Sequence, residues 1–304
     1  MVYDGAAEKD IRGIDVDKAV KGFGKLIFSF KSLVNNAKAK AREIRWYKKG
    51  LTLATAMNAL DTLTTQGVTG SIMTNTAFKA RPAVIEQKWE RTSAYVKKYF
   101  VESPTISIED IKDSDIDVLG GNLIELVKAV HAKVDRRIYD VLTEATVTSG
   151  VPNPSDVHTT AAVAGWATTG TCQPIRDILI GKRKIRSSGY DPTGCTILMN
   201  ELEEQSLLDY LISVKGSSIP DFSSEKVKDG VVMGLLNCKV VVSTNATADW
   251  VIMFKKEAVT YKTFIPITSV VMVDPGIGKK IRVWEEGEAI LEHPKSVHII
   301  SSAS

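Results

Sequence analysis

The sequence predicts an α+β fold built on one long helix and a late cluster of strands, with extended segments at the amino-terminal end. Three observations predict it. An apolar stripe at helical spacing runs between Asp115 and Ala145, strand patterns dominate from Lys256 onward, and residues 1–78 carry no strand-like core. The 304 residues are 44% hydrophobic and 25% charged, the balance of a folded globular chain of one large or two moderate domains. No apolar run approaches the roughly 18 residues of a membrane span. The opening MVYDGAAEKD has no apolar core and is not a secretory signal. The expectation is a soluble protein made in the cytoplasm.

Asp17 to Tyr47 reads as helix, because Val20, Phe23, Ile27, Phe30 and Val34 recur three and four apart with lysines between them, although Gly22 and Gly24 weaken the pattern. Lys21 to Lys49 holds nine basic residues against Glu43 alone, a net +8 on a chain of net +3. Such a run fits an arm attracted to polyanions, and equally a solvated helix face. Residues 62–77 are polar and loop-like. An arm of this kind cannot bury its own apolar stripe and must lean on something else.

In residues 82–102, β-branched and aromatic residues alternate with polar ones: Ile85, Gln87, Trp89, Arg91, then Tyr95, Lys97, Tyr99. The alternation predicts a two-stranded ribbon turning near Arg91–Ala94, closed by Ser103-Pro104. Two isolated strands are marginal in water, so a partner must come from this chain or a neighbour. Leu119, Leu123, Leu126, Val127, Val130, Val134, Ile138, Val141 and Leu142 then share one stripe of a helix roughly 35 Å long. His131 and Asp135 lie four apart on it; with no third ligand nearby, a surface hydrogen bond is expected rather than a metal site.

Residues 150–170 read as a polar connection. Thr171 is placed to cap a helix with Pro174 in its first turn, a buried strand follows from Cys195 to Met199, and Asn200 with Glu203 forms a capping box for a helix through Leu211. Residues 213–230 read as an exposed loop. Strands are expected at Val231–Met233, Lys239–Ser243, Trp250–Phe254, Val259–Phe264, Ser269–Val273, Ile281–Trp284 and Val297–Ile300, with a turn at Gly234–Asn237 and another at Asp274–Gly278.

The motifs of the common enzyme classes are missing: no G-x-S-x-G, H-E-x-x-H, C-x-x-C or G-x-G-x-x-G occurs. Gly276-Ile277-Gly278-Lys279 lacks the spacing of a phosphate loop and sits between strand patterns, so a hairpin turn is the reading. Cys172, Cys195 and Cys238, with four scattered histidines, make neither a zinc spacing nor a disulfide framework and read as small buried hydrophobes. No cofactor and no metal is expected.

The order of elements resembles the Hong Kong 97-type major capsid protein of tailed phages and related archaeal viruses, across nearly the whole chain. WERTSAYVKKYFVESPTISI (89–108) looks like its extended E-loop and LGGNLIELVKAVHAKVDRRIYDVL (119–142) like its spine helix. GCTILMNELEEQSLLDYL with GVVMGLLNCKVVVSTNA looks like its A-domain, and VIMFKKEAVTYKTF with the final strands like the return to its P-domain. The resemblance implies an arm over 1–78, an E-loop over 79–113, a P-domain with the spine helix over 114–170, an A-domain over 171–255 and P-domain return strands over 256–304. It implies no enzyme but a structural subunit that self-assembles into hexamers and pentamers of an icosahedral virion shell around double-stranded DNA. The residues Lys21, Lys25, Lys31, Lys38, Lys40, Arg42 and Arg45 would then face the DNA from the inner side. Trp89, Arg91, Tyr95, Lys97 and Tyr99 would cross to a neighbouring subunit, and Lys215, Ser217, Asp221 and Lys226 would ring the capsomer axis. Two departures carry expectations. No asparagine follows Asn245, so the lysine–asparagine weld of some members is expected to be absent. Only about 80 residues precede the E-loop, so no cleaved scaffolding segment is expected, and a scaffold, like any portal or decoration protein, would be a separate partner. The rivals are an encapsulin, the cellular nanocompartment of the same fold, a cytoplasmic α/β enzyme, and a free DNA-binding protein, which lacks any groove-reading motif.

Overall fold

Among the described residues, strands recruited from distant parts of the chain build two large sheets and two short two-stranded ones, and the long helix packs against both large sheets. The computed structural model describes residues 30–48, 68–69, 86–87, 90–113, 118–145, 151–168, 170–213 and 234–303. The first sheet is organised around a long hairpin, β13 (Val259–Asp274) and β14 (Gly278–Leu291). β1 (Asn35–Lys38) joins it in parallel on the β13 side. β6 (Lys97–Glu102) and β7 (Ile106–Ser107) join it antiparallel on the β14 side. The turn falls at Asp274–Gly278 as the sequence predicts, with Gly276 at φ +78°, a conformation that glycine adopts without steric cost. The two strand patterns before the turn are one strand. Register shifts between Thr263 and Ile265 and between Ile265 and Thr268 carry the ladder past Pro266.

The second sheet runs in the order β10-β11-β9-β12-β15-β8. Its members are β10 (Gly234–Leu235), β11 (Cys238–Val242), β9 (Thr196–Met199), β12 (Trp250–Phe254), β15 (Val297–Ser301) and β8 (His158–Ala161). β10 and β11 pair across a two-residue turn, Leu236–Asn237, with both φ positive, so the turn is tighter and later than the expected 234–237. β8 lies where a plain connection is expected; its four residues at the sheet edge give too short a pattern to read.

Four α-helices lie among the described residues: α1 (Ile108–Asp113), α2 (Val118–Leu142), α3 (Pro174–Ser187) and α4 (Glu201–Ser213). α2 is the predicted long helix, about 37 Å over its 25 residues. Leu123, Val127 and Val130 pack with Ile281 and Val283 of the first sheet. Val134, Ile138, Tyr139 and Leu142 enter a core shared with Leu198, Ile252 and Ile299 of the second. One helical face thus holds the two sheets together. The capping box forms as read: Asn200 N–H donates to Glu203 Oε2 at 3.1 Å, and Leu202 N–H donates to Asn200 Oδ1 at 3.3 Å. Thr171 caps nothing; α3 starts at Pro174 with Gln173 as N-cap. The preceding loop is instead fastened by buried Asp177, which accepts from Trp166 Nε1 at 3.0 Å and from Val163 N–H at 3.2 Å.

The predicted helix over 17–47 is corrected wherever the structure describes it. Phe30–Leu33 is a single 3-10 turn, and the chain then enters β1 and β2 (Glu43–Lys48). Asn35-Asn36 is a poor helix former, and Phe30, Leu33 and Val34 are buried by the large core rather than by a helix partner. Tertiary pairing with Thr260–Thr263, distant in sequence, decides the conformation.

Candidate assembly surfaces

The ribbon exists, but not as a hairpin within 85–102. β5 (Glu90–Tyr95) is continuous through Arg91–Ala94, which contains no glycine, proline, asparagine or aspartate to turn on. β5 pairs antiparallel with β2, Glu43 opposite Tyr95 and Lys48 opposite Glu90. Nested inside that pair in sequence, β3 (Val68–Thr69) and β4 (Glu86–Gln87) form a second antiparallel ladder. Among the described residues the two ladders are separate two-stranded sheets, and the pair of β2 with β5 is the ribbon. Its outgoing strand comes from the segment the sequence presents as an arm.

The base of this ribbon is tied to the body. Trp46 Nε1 donates to the Leu291 carbonyl at 2.9 Å, Lys48 pairs with Asp156 at 2.9 Å, and Val96 N–H donates to the Arg42 carbonyl at 2.9 Å. Val96 also marks the end of β5, after which β6 pairs with β14 instead. This break shifts the side-chain alternation. Arg91, Ser93 and Tyr95 face solvent with Arg45 and Tyr47, whereas Lys97 and Tyr99 turn partly inward. Tyr95 is 69% exposed, Tyr47 57% and Phe100 66%, three aromatic side chains that stand largely open to solvent. Lys98 lies over the Phe100 and Trp284 rings at 5.8 and 5.7 Å. A second apolar patch, Val273 and Ile277, sits at the tip of the β13–β14 hairpin, 62% and 64% exposed.

The proposed intersubunit set is therefore divided. Arg91 and Tyr95 are on the open face and Lys97 and Tyr99 are not. Burial and the nearby Glu288 push the Tyr99 hydroxyl well above its ordinary range. Trp89 lies outside the described residues, as do Lys215, Ser217, Asp221 and Lys226.

The basic set divides as well. Lys38, Lys40 and Arg42 are exposed, Arg42 standing 6.0 Å over the Phe264 ring. Arg45 makes a two-pronged exposed pair with Glu43, both bonds 2.8 Å. Lys31 is withdrawn: its Nζ meets both oxygens of Glu285 at 2.5 Å, and Glu285 is 1% exposed. Lys21 and Lys25 lie outside the described residues. The pair Lys31–Glu285 belongs to a buried charge cluster with no sequence signal beyond the run Glu285-Glu286-Gly287-Glu288. Tyr261 donates to Glu285 at 3.1 Å, and Arg137 of α2 reaches fully buried Glu288 at 2.6 Å. Gly287 is required there, since a Cβ would stand 2.3 Å from the Tyr261 hydroxyl. Asp135 is buried, not on the surface as expected, and accepts the Phe30 N–H at 2.8 Å. His131 is buried beside it, its pKa lowered by burial and by Lys31. No group of three metal-ligating side chains occurs among the described residues, and no helix among them is long and apolar enough to cross a membrane.

No protein-family model and no curated protein matches the sequence. Solved structures do. The chain superposes on a virus-like particle protein from Pyrococcus furiosus with a TM-score of 0.60 at 8% identity, covering 95% of this chain and 98% of that one. On the capsid of Cyanophage P-SCSP1u the TM-score is 0.61 at 13% identity, over 88% and 86%. On the capsid of a native GTA particle it is 0.63 at 8% identity, over 91% and 90%. The fold is the one these capsid and particle proteins share, the Hong Kong 97-type capsid fold.

Proposed function

We propose that the chain is a major capsid protein, a structural and non-catalytic subunit that assembles with copies of itself into a closed icosahedral virion shell. The observation that carries this reading is the ribbon. It is fastened to the body at Trp46 and Lys48, and its face leaves Tyr95 69% exposed beside exposed Arg91 and Ser93. Such a face is what a neighbouring copy covers, in interfaces on the order of 1,000 Å² or more repeated around rings of five and six. The long helix α2 is the spine, β2–β5 the extended loop, and α3, α4 and the second sheet the domain nearest the capsomer axis. The matched shell structures support this reading through their fold.

Exposed Lys38, Lys40 and Arg42 give the inner surface a sequence-independent attraction for packaged double-stranded DNA, with Lys31 excluded because it is neutralised at home. Expression of the full chain, followed by sedimentation and negative-stain microscopy, tests the proposal. Closed shells or five- and six-membered rings are expected; a monomer or small oligomer at every protein concentration overturns it. Nuclease-protected DNA inside the particles separates a virus shell from a nanocompartment, which would hold protein cargo instead. Particles boiled in denaturant are expected to run as 33.2 kDa monomers, without a covalent weld between subunits.

A further inference from the structure

Cys195 ends the turn into β9 and Cys238 opens β11. In that parallel pair Thr196 lies opposite Lys239, so the register continued by one residue sets Cys195 opposite Cys238. The Lys239 N–H donates to the Cys195 carbonyl at 2.9 Å and locks that register. Neighbouring strands lie about 4.7–4.9 Å apart, within the Cα spacing of about 4.4–6.8 Å that a disulfide spans. The side chains turn toward one another. Their Sγ atoms are 2.7 Å apart, both residues are buried, and both thiols are free.

Lys182 of α3 stands over the pair, its Nζ donating to the Leu236 carbonyl in the β10–β11 turn. The Cys238 thiol is lowered to about 7 by its hydrogen bond with Cys195 and by the Lys182 charge, against the opposing effect of burial. Cys195 is pushed up by the same hydrogen bond and by burial. One thiol is set to give up its proton and the other to keep it, the division of labour between an attacking and a resolving cysteine.

We propose that Cys195 and Cys238 form a redox-responsive pair that closes into an intrachain disulfide on exposure to hydrogen peroxide, fastening the β10–β11 hairpin to β9. The Cys238 thiolate attacks one peroxide oxygen and breaks the O–O bond, giving a sulfenic acid and a hydroxide that takes a proton to become water. The Cys195 sulfur then attacks the Cys238 sulfur, and the sulfenic hydroxyl leaves with the Cys195 proton as a second water. Two thiols lose two electrons and one peroxide gains them. Peroxide is close to water in size, which suits a pair so thoroughly buried. In the reducing cytoplasm where the chain is made the pair stays open, and it closes when the protein leaves that compartment. The two residues are 43 apart, so the closed ring holds α4 and restricts the unfolded chain as long-span disulfides do.

The full-length protein, with and without hydrogen peroxide, is denatured, alkylated with iodoacetamide and weighed intact. Untreated chain is expected to take three alkyl groups and oxidised chain one, at Cys172, with a cross-linked peptide joining Cys195 to Cys238. The thermal midpoint of the oxidised protein is expected to rise by about 5–10 °C and to fall back on reduction. In Cys195→Ala, peroxide leaves a sulfenic acid on Cys238 that dimedone traps, and the midpoint does not rise. Three alkyl groups after peroxide, or a bond that includes Cys172, overturns the proposal. If the variant fails to fold, the wild-type mass alone decides. The pair lies within one chain, so the result is independent of whether shells form.

Discussion

β9 and β5 are strands of four and six residues in one chain, and they are built on opposite plans. Every side chain of Thr196–Met199 is buried, with sheet neighbours on both sides. Residues 91–95 have one pairing partner, β2, and present Arg91, Ser93 and Tyr95 to solvent. One face of the second sheet packs with α3 and α4, and the other enters the core it shares with α2. The ribbon keeps one face open and draws its stability from anchors at its base. A strand covered on both faces is held by its own surroundings, whereas an open ribbon face with Tyr95 on it has the character of an interaction surface.

The contrast can be broken by substitution. Ile197→Ala empties a fully buried site and is expected to cost about 2–5 kcal/mol in urea unfolding of dissociated subunits. Tyr95→Ala is expected to cost less than about 0.5 kcal/mol in the same assay yet to impair assembly, read by sedimentation. Equal losses for the two would erase the distinction between the regions.

Between these extremes lies the charge cluster. Lys31→Met leaves the buried Glu285 carboxylate without its cation and is expected to destabilise by about 3–5 kcal/mol, whereas Lys38→Met, at an exposed position, is expected to do almost nothing to unfolding. An equal effect would return Lys31 to the arm.

Acid probes the second sheet. His158 and His298 lie opposite one another on β8 and β15, and burial lowers both to about 4. The unfolded chain binds their protons from about pH 6.5 and the folded chain only near 4, so stability is full above 6.5 and falls as pH drops through that window. The loss is on the order of 3 kcal/mol at most at fully buried His298 and smaller at half-buried His158, and His298→Leu is expected to flatten the fall measured by urea midpoints. The smallest effect is at the capping box. Glu203→Gln keeps the shape but weakens the hydrogen bonds to Asn200 and Asp249 N–H groups, for about 1 kcal/mol.

What the sequence made legible follows from how local the cause is. The spine helix, the Asn200–Glu203 box and the Asp274–Gly278 turn are set by residues within a few positions of one another, and each is found where it was read. β1 and β2 were invisible because their partners, Thr260–Thr263 and Glu90–Tyr95, are remote, and Phe30, Leu33 and Val34 satisfy a helical spacing by coincidence. The basic run was legible as charge but not as placement. Only the fold reveals that Lys31 is spent on Glu285 while Lys38 and Lys40 stay outside. Tyr95, Lys97 and Tyr99 share a sequence parity, and the break at Val96 separates them.

The register shifts at Thr263–Thr268 have a mechanical meaning. Ladder hydrogen bonds are interrupted there on the β13 side, where β1 braces only the strand before the shifts, while β6 and β7 hold β14 across them and out to the tip. Such a joint bends β13 past Pro266 without freeing the tip, because β14 keeps its outer partners at Gly278–Lys279 and Arg282–Gly287.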